Sequence, residues 1–61
     1  SDEYKWAEIY KGYKTDLKLI KAQIKAAEKT NDRMHLMKIQ DQIKKSFIKE
    51  ISDLKNEGSN Q

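Results

Sequence analysis

The chain is 61 residues long, carries a formal net charge of +3, and is 38% charged and 36% hydrophobic. A chain of this length forms one small domain with a thin core, so we expect it to depend on a partner chain for stability. Because the sequence has no Cys, disulfides and thiolate metal sites are excluded, and no apolar run approaches the roughly 18 residues of a membrane span.

The first predicted element is a helix over about residues 2–29. Its apolar positions recur at spacings of four and three residues through three heptads, which is the pattern of a helix packed in a bundle. These positions are Trp6, Tyr10, Tyr13, Leu17, Ile20, Ile24 and Ala27. Together they form the predicted packing seam of the first helix.

The two flanks of this seam differ in chemistry. One flank carries a row of lysines at helical spacing, which we call the lysine ridge: Lys11, Lys14, Lys18, Lys21 and Lys25. The other flank is apolar or small, with Ile9, Gly12, Leu19 and Ala26. A glycine inside a helix costs about 1 kcal/mol relative to alanine, so a close contact with another helix would account for Gly12.

A turn is predicted at about residues 30–32, because Thr30, Asn31 and Asp32 favour caps and turns. The second helix is predicted over about residues 32–56, capped by Asn31 or Asp32. Its apolar stripe has a mean spacing of about 3.6 residues and consists of Leu36, Ile39, Ile43, Phe47, Ile51 and Leu54. Residues 57–61 are polar and are predicted to be a disordered tail.

Two helices joined by so short a turn must run antiparallel, so the predicted fold is all-α, a two-helix hairpin over residues 1–56. The expected pairing places Leu17 opposite Phe47 and Tyr13 opposite Ile51, and leaves Trp6 overhanging the second helix. Five positions stay outside this pairing and form the predicted dimer face: Ile9, Gly12, Leu19, Met37 and Ile48. We therefore expect a homodimer forming a four-helix bundle; the alternative is one long helix in a parallel coiled-coil dimer.

The lysine ridge is the strongest candidate for a binding site. Lys14, Lys18 and Lys21 have no acidic residue three or four positions away, whereas on the second helix Lys45 and Lys49 can reach Asp41 and Asp53. One interpretation is a solvated helix face; the other is a binding face for an acidic protein partner, with Trp6, Tyr10 and Tyr13 as aromatic anchor. The aromatic residues can equally be bundle core.

A sequence-tolerant nucleic-acid binder that uses the same lysines is the alternative function. A rigid row of cations suits phosphates, while Arg33 is the sole arginine, so base reading by bidentate arginine is not expected. An anionic membrane surface is disfavoured, because the face that would insert is already the packing seam.

The sequence carries no enzyme motif. It has no glycine-rich phosphate loop and no nucleophile beside a base, and so short a chain leaves no room for a substrate cavity. We expect a non-catalytic regulatory or adaptor protein with no cofactor, no metal and no small-molecule substrate, located in the cytoplasm because no signal sequence is visible. Lysine outnumbers arginine twelve to one, which is typical of low-GC bacteria, their phages and their plasmids.

In chain length, mid-chain turn and polar C-terminal residues, this pattern resembles the small dimeric helical-hairpin regulators. The resemblance is one of architecture. It implies a dimeric hairpin that acts by binding, and it assigns no role to any individual residue.

Overall fold

The structure is a computed structural model that describes the backbone of residues 3–59 and the side chains of residues 3–57. Two helices, α1 (Glu3–Ala26) and α2 (Thr30–Ser59), pack against each other as a hairpin. The all-α hairpin predicted from the heptad spacing is therefore confirmed. The predicted first residue of the first helix, Asp2, lies outside the described residues.

The chain reverses at residues 27–29, three residues earlier than predicted. The last backbone hydrogen bonds of α1 run from the Ala27 N–H to the carbonyl oxygens of Gln23 (3.0 Å) and Ile24 (3.3 Å). The Arg33 N–H donates to the Lys29 carbonyl oxygen at 3.1 Å, which makes Lys29 the residue that flanks α2. The turn predicted at 30–32 is wrong, since these residues form the first turn of α2.

The physical reason is that a helix tolerates the same residues just inside its start as just before it. Asp32 lies in the first turn of α2, where a negative charge interacts favourably with the positive end of the helix dipole. The predicted capping role of Asn31 or Asp32 is wrong because α2 begins before both. At the other end, α2 continues to Ser59, so residues 57–59 are helical instead of belonging to a tail, while residues 60 and 61 lie outside the described part.

The contact between Tyr13 and Phe47 fixes the pairing of the two helices. Their rings stack with centroids 4.1 Å apart at an interplanar angle of 16°, and the Tyr10 ring lies 6.2 Å from the same Phe47 ring. The predicted pairing of Leu17 with Phe47 is wrong by about one helical turn, because the reversal of the chain comes earlier.

This pairing also changes the position of Trp6. Trp6 lies seven residues before Tyr13, and Leu54 lies seven residues after Phe47, so both are displaced towards the open end of the hairpin. The register set by the Tyr13–Phe47 contact therefore places Trp6 opposite Leu54. Leu54 is only 6% exposed and Trp6 is 36% exposed. Trp6 therefore does not overhang α2 as predicted.

The core is a single line of side chains along the seam. Its most buried members are Ile20 at 5% exposure and Leu54 at 6%. The residues of the predicted apolar stripe of α2 are buried or half-buried, with the exception of Ile39, which is 38% exposed. The next residue, Gln40, is half-buried in its place.

The hairpin is flat, two helices wide and one helix thick, and we call this shape the plank. The Cα atoms extend over 49 × 17 × 6 Å with a radius of gyration of 14.6 Å, against about 10.5 Å for a compact domain of this length. A plank one helix thick exposes two broad faces and two outer edges. Neither helix, over the residues that the structure describes, combines the length and the apolar character that crossing a membrane requires.

Candidate binding faces

A shallow groove between the helices occupies one broad face, which we call the groove face. It is lined chiefly by Glu8, Gly12 and Asp16 of α1 and by Ile39, Ser46 and Glu50 of α2. Towards the open end it continues into a second depression that shares Glu8 and Glu50 with the first. The groove face therefore runs from mid-hairpin to the open end as one surface.

The opposite broad face follows from helix geometry. Residues two apart on a helix point about 200° apart, so the residue two positions from a groove residue lies on the other side of the plank. Lys14 and Lys18 come two positions after Gly12 and Asp16, and Lys44 and Ile48 come two positions after Gln42 and Ser46. We call this surface the basic face: Tyr10, Lys14, Lys18 and Lys21 of α1 with Lys44 and Ile48 of α2.

The lysine ridge runs along the basic face and the adjoining outer edge of α1. All five of its lysines are exposed, and none forms an ion pair within the described residues. From Lys11 to Lys25 the ridge covers about 21 Å at 1.5 Å per residue. The structure therefore places the five predicted ridge residues on one continuous, electropositive strip.

Exposed apolar side chains lie among these lysines. Tyr10 is 53% exposed and Ile48 is 65% exposed, and Met37, eleven residues before Ile48 and so on the same side of α2, is 54% exposed. The Lys14 Nζ lies 5.3 Å from the centroid of the Tyr10 ring, within the range of a cation–π contact. The basic face is thus amphipathic as well as cationic.

The three residues of the predicted aromatic anchor have different surroundings in the structure. Tyr13 is half-buried in the seam against Phe47, so it packs the hairpin. Trp6 is 36% exposed at the open end. Tyr10 alone of the three lies beside a ridge lysine.

The charges of α2 pair along the helix as the sequence predicts. Lys45 Nζ lies 3.0 Å from Asp41 Oδ2, and Lys49 Nζ lies 3.0 Å from Asp53 Oδ2. All four side chains are more than half exposed, so each pair stabilises the helix by only about 0.3–0.5 kcal/mol. Some of the charges of α2 are therefore neutralised by ion pairs within the helix. The lysine ridge of α1 has no such pairs among the described residues.

The groove face is acidic, which the sequence analysis did not anticipate. Its two depressions are lined by five carboxylates and one lysine, Lys5, so the negative charges outnumber the positive one. The carboxylates are Glu8, Asp16, Glu50, Asp53 and Glu57. A signal was present in the sequence, because Glu8, Gly12 and Asp16 recur every four residues and the three acids of α2 recur at spacings of three and four. Which side of the hairpin these rows occupy becomes clear only when both helices are in register.

Gly12 lies in the centre of this acidic surface with open space in front of it. A Cβ atom built on Gly12 would meet no atom within 4 Å. The close helix contact predicted at Gly12 is therefore not made within the hairpin.

The predicted dimer face does not form a single surface. Ile9 and Gly12 line the groove face, and Leu19, seven residues after Gly12, shares its side of α1. Met37 and Ile48 lie on the basic face instead, because the pairing of the helices turns their side of α2 away from the groove. The two groups therefore lie on opposite broad faces of the hairpin.

Comparison of the chain with protein-family models, with curated proteins and with solved structures finds no match.

Proposed function

We propose that this protein is a non-catalytic regulatory or adaptor protein that binds an acidic protein partner through its basic face. The observation that carries the proposal is the set of ridge lysines without ion pairs, arranged around exposed apolar side chains. Protein interfaces combine an apolar centre with a polar rim. Charge complementarity at such a rim raises the association rate and selects the partner.

The apolar side chains favour a protein partner over nucleic acid. Tyr10 and Ile48 are more than half exposed beside the lysines, and a phosphate backbone offers no apolar surface to cover them. Nucleic acid bound through the same lysines is the second candidate function. It is supported by the row of cations about 21 Å long, which would contact phosphates without reading bases.

We also propose that the hairpins self-associate, with a four-helix bundle of two hairpins as the smallest assembly. The plank buries only one line of side chains, and Leu19, Met37 and Ile48 remain 60%, 54% and 65% exposed. Pairing of two planks would cover part of this apolar surface, which is the usual solution for short helical hairpins.

The test compares two triple variants of equal charge. Lys14→Glu, Lys18→Glu and Lys21→Glu change the basic face, while Lys38→Glu, Lys45→Glu and Lys49→Glu change the outer edge of α2. The probes are three labelled molecules: a helical peptide with leucines flanked by glutamates, an RNA hairpin and a DNA duplex. Fluorescence anisotropy at about 50 and 200 mM salt measures the affinity for each, and a nucleic-acid complex that neutralises several phosphates weakens on the order of 10³-fold over this range.

We expect the acidic peptide to bind the wild type and the outer-edge variant alike, and to bind the basic-face variant at least tenfold more weakly. RNA or DNA binding that is steeply salt-dependent and lost in the basic-face variant would replace the protein partner with nucleic acid. Equal binding of every probe to both triple variants would refute both functions.

A further inference from the structure

The two broad faces of the hairpin are complementary to each other. The groove face carries carboxylates around the open space at Gly12, and the basic face carries lysines around Tyr10 and Ile48. Each face has exposed apolar side chains that the hairpin itself leaves uncovered, with Ile39 38% exposed on one and Ile48 65% exposed on the other. A second copy of this chain therefore offers the chemistry that each face requires.

A two-fold symmetric dimer uses the same patch on both copies. A symmetric contact centred on Gly12 would bring the carboxylates Glu8, Asp16 and Glu50 of one copy towards those of the other. A symmetric contact between basic faces would oppose lysines to lysines. Like charges placed opposite each other in an interface are unfavourable, so electrostatics disfavours both symmetric arrangements and favours contact between unlike faces.

The spacing of the charges matches residue by residue. Lys14, Lys18 and Lys21 are separated by four and then three residues, and Glu50, Asp53 and Glu57 by three and then four. Two helices placed antiparallel reverse one of these orders, so the rows coincide over about 10 Å. Lys14 then lies opposite Glu57, Lys18 opposite Asp53, and Lys21 opposite Glu50; of these, Asp53 already pairs with Lys49 of its own helix.

We infer that the groove face of one hairpin receives α1 of a second copy, with its lysine ridge antiparallel to α2. This inference rests on the proposed function, because it names another copy of this chain as an acidic partner of the basic face. The lack of a side chain at Gly12 lets the incoming helix approach closely. Since the contact joins unlike faces, each added copy leaves one groove face and one basic face free, and association is open-ended.

The test uses two triple variants. In each of them the charges of one face are reversed and the other face is unchanged. Lys14→Glu, Lys18→Glu and Lys21→Glu abolish the basic face, and Glu50→Lys, Asp53→Lys and Glu57→Lys abolish the groove face. Sedimentation velocity at about 50 mM salt, where charges more than roughly 14 Å apart are screened, measures the mass of each variant over a range of protein concentrations. Far-ultraviolet circular dichroism checks that each is helical, and the single changes Lys18→Glu and Glu50→Lys serve if a triple variant fails to fold.

The wild type is expected to grow beyond a dimer as concentration rises and to dissociate at high salt. The outer-edge variant Lys38→Glu, which leaves the Lys49–Asp53 ion pair in place, is expected to behave in the same way. Each face variant alone is expected to remain monomeric, because its two faces then carry like charge. An equal mixture of the two is expected to grow beyond a dimer again, because the two reversed rows are also opposite in charge. A wild type that stops at a dimer, or a face variant that still dimerises alone, would show a symmetric interface and overturn the inference. A wild type that stays monomeric but binds the acidic peptide would overturn the inference and leave the proposed function standing, whereas loss of both would overturn both.

Discussion

Replacement of Gly12 by alanine tests the structure of the groove face directly. In the single hairpin a Cβ atom at this position meets nothing within 4 Å, so the substitution introduces no clash. Alanine stabilises a helix interior by about 1 kcal/mol relative to glycine, because glycine loses more backbone entropy on folding. For a domain of this size, that change in the free energy of unfolding raises the melting temperature by about 4–8 °C.

The assay is thermal unfolding followed by circular dichroism at 222 nm, at a protein concentration low enough for the wild type to be monomeric. Ala22→Gly is the matched control. Ala22 lies on the exposed side of the same helix, and its change to glycine should lower the melting temperature by about as much as Gly12→Ala raises it.

A lower melting temperature for Gly12→Ala in the monomer would refute the open space at Gly12, because it would require a neighbour that the added methyl group displaces. At high concentration the expectation reverses. If a second copy approaches Gly12 closely, the same methyl group weakens self-association at least several-fold while still stabilising each monomer. Opposite effects at the two concentrations would therefore locate the close approach between chains instead of within one.

The remaining predictions concern the seam and the charges. Leu54→Ala should reduce the free energy of unfolding by about 2–4 kcal/mol because this side chain is 6% exposed, while Ile48→Ala, at 65% exposure, should change it by no more than about 0.5 kcal/mol; equal effects in urea unfolding would contradict the burial pattern. Nuclear Overhauser contacts should join the rings of Tyr13 and Phe47, which lie 4.1 Å apart, and contacts from Phe47 to Leu17 in their place would restore the pairing expected from the sequence. Asp41→Asn should lower helix stability by only about 0.3–0.5 kcal/mol, since its partner Lys45 is largely exposed, and the loss should disappear at high salt.

The heptad spacing was sufficient to predict α1 and the hairpin. Apolar residues that alternate at four and three positions leave a helix only one face to bury, and seam residues such as Leu17, Ile20 and Ile24 are accordingly half-buried or buried. The internal pairing of charges on α2 was also predictable, because residues four apart on a helix are neighbours whatever surrounds them.

The position of the chain reversal was not predictable from residue preferences. Thr30, Asn31 and Asp32 are compatible with a turn and equally with the first turn of a helix, where backbone N–H groups have no helical partner. The connection instead falls at residues 27–29, and no described non-glycine residue there or elsewhere has a positive φ. The three-residue error passes directly into the pairing of the helices, because every cross-helix contact depends on where the chain turns.

Hydrophobicity alone also misassigned one seam position. Ile39 is more apolar than Gln40 and was therefore expected in the seam. In the structure Leu36, Gln40, Ile43 and Phe47 follow spacings of four, three and four, so geometry places Gln40 towards α1 and leaves Ile39 at the rim of the groove. An apolar side chain displaced from the seam in this way stays partly exposed in the lining of the groove.

The separation of charge between the two faces is not required by the hairpin. Acids on the side of α2 that faces the lysines of α1 would give ion pairs across the helices, and these would stabilise each chain. Instead the acids Glu50, Asp53 and Glu57 lie on the groove face, while Lys14 and Lys21 lie on the basic face without an ion pair among the described residues. Among the described residues, the five ridge lysines thus form no ion pair with the second helix. A local arrangement that forgoes available stabilisation is where function is expected, and the two unlike faces are the basis on which we propose contact with another molecule.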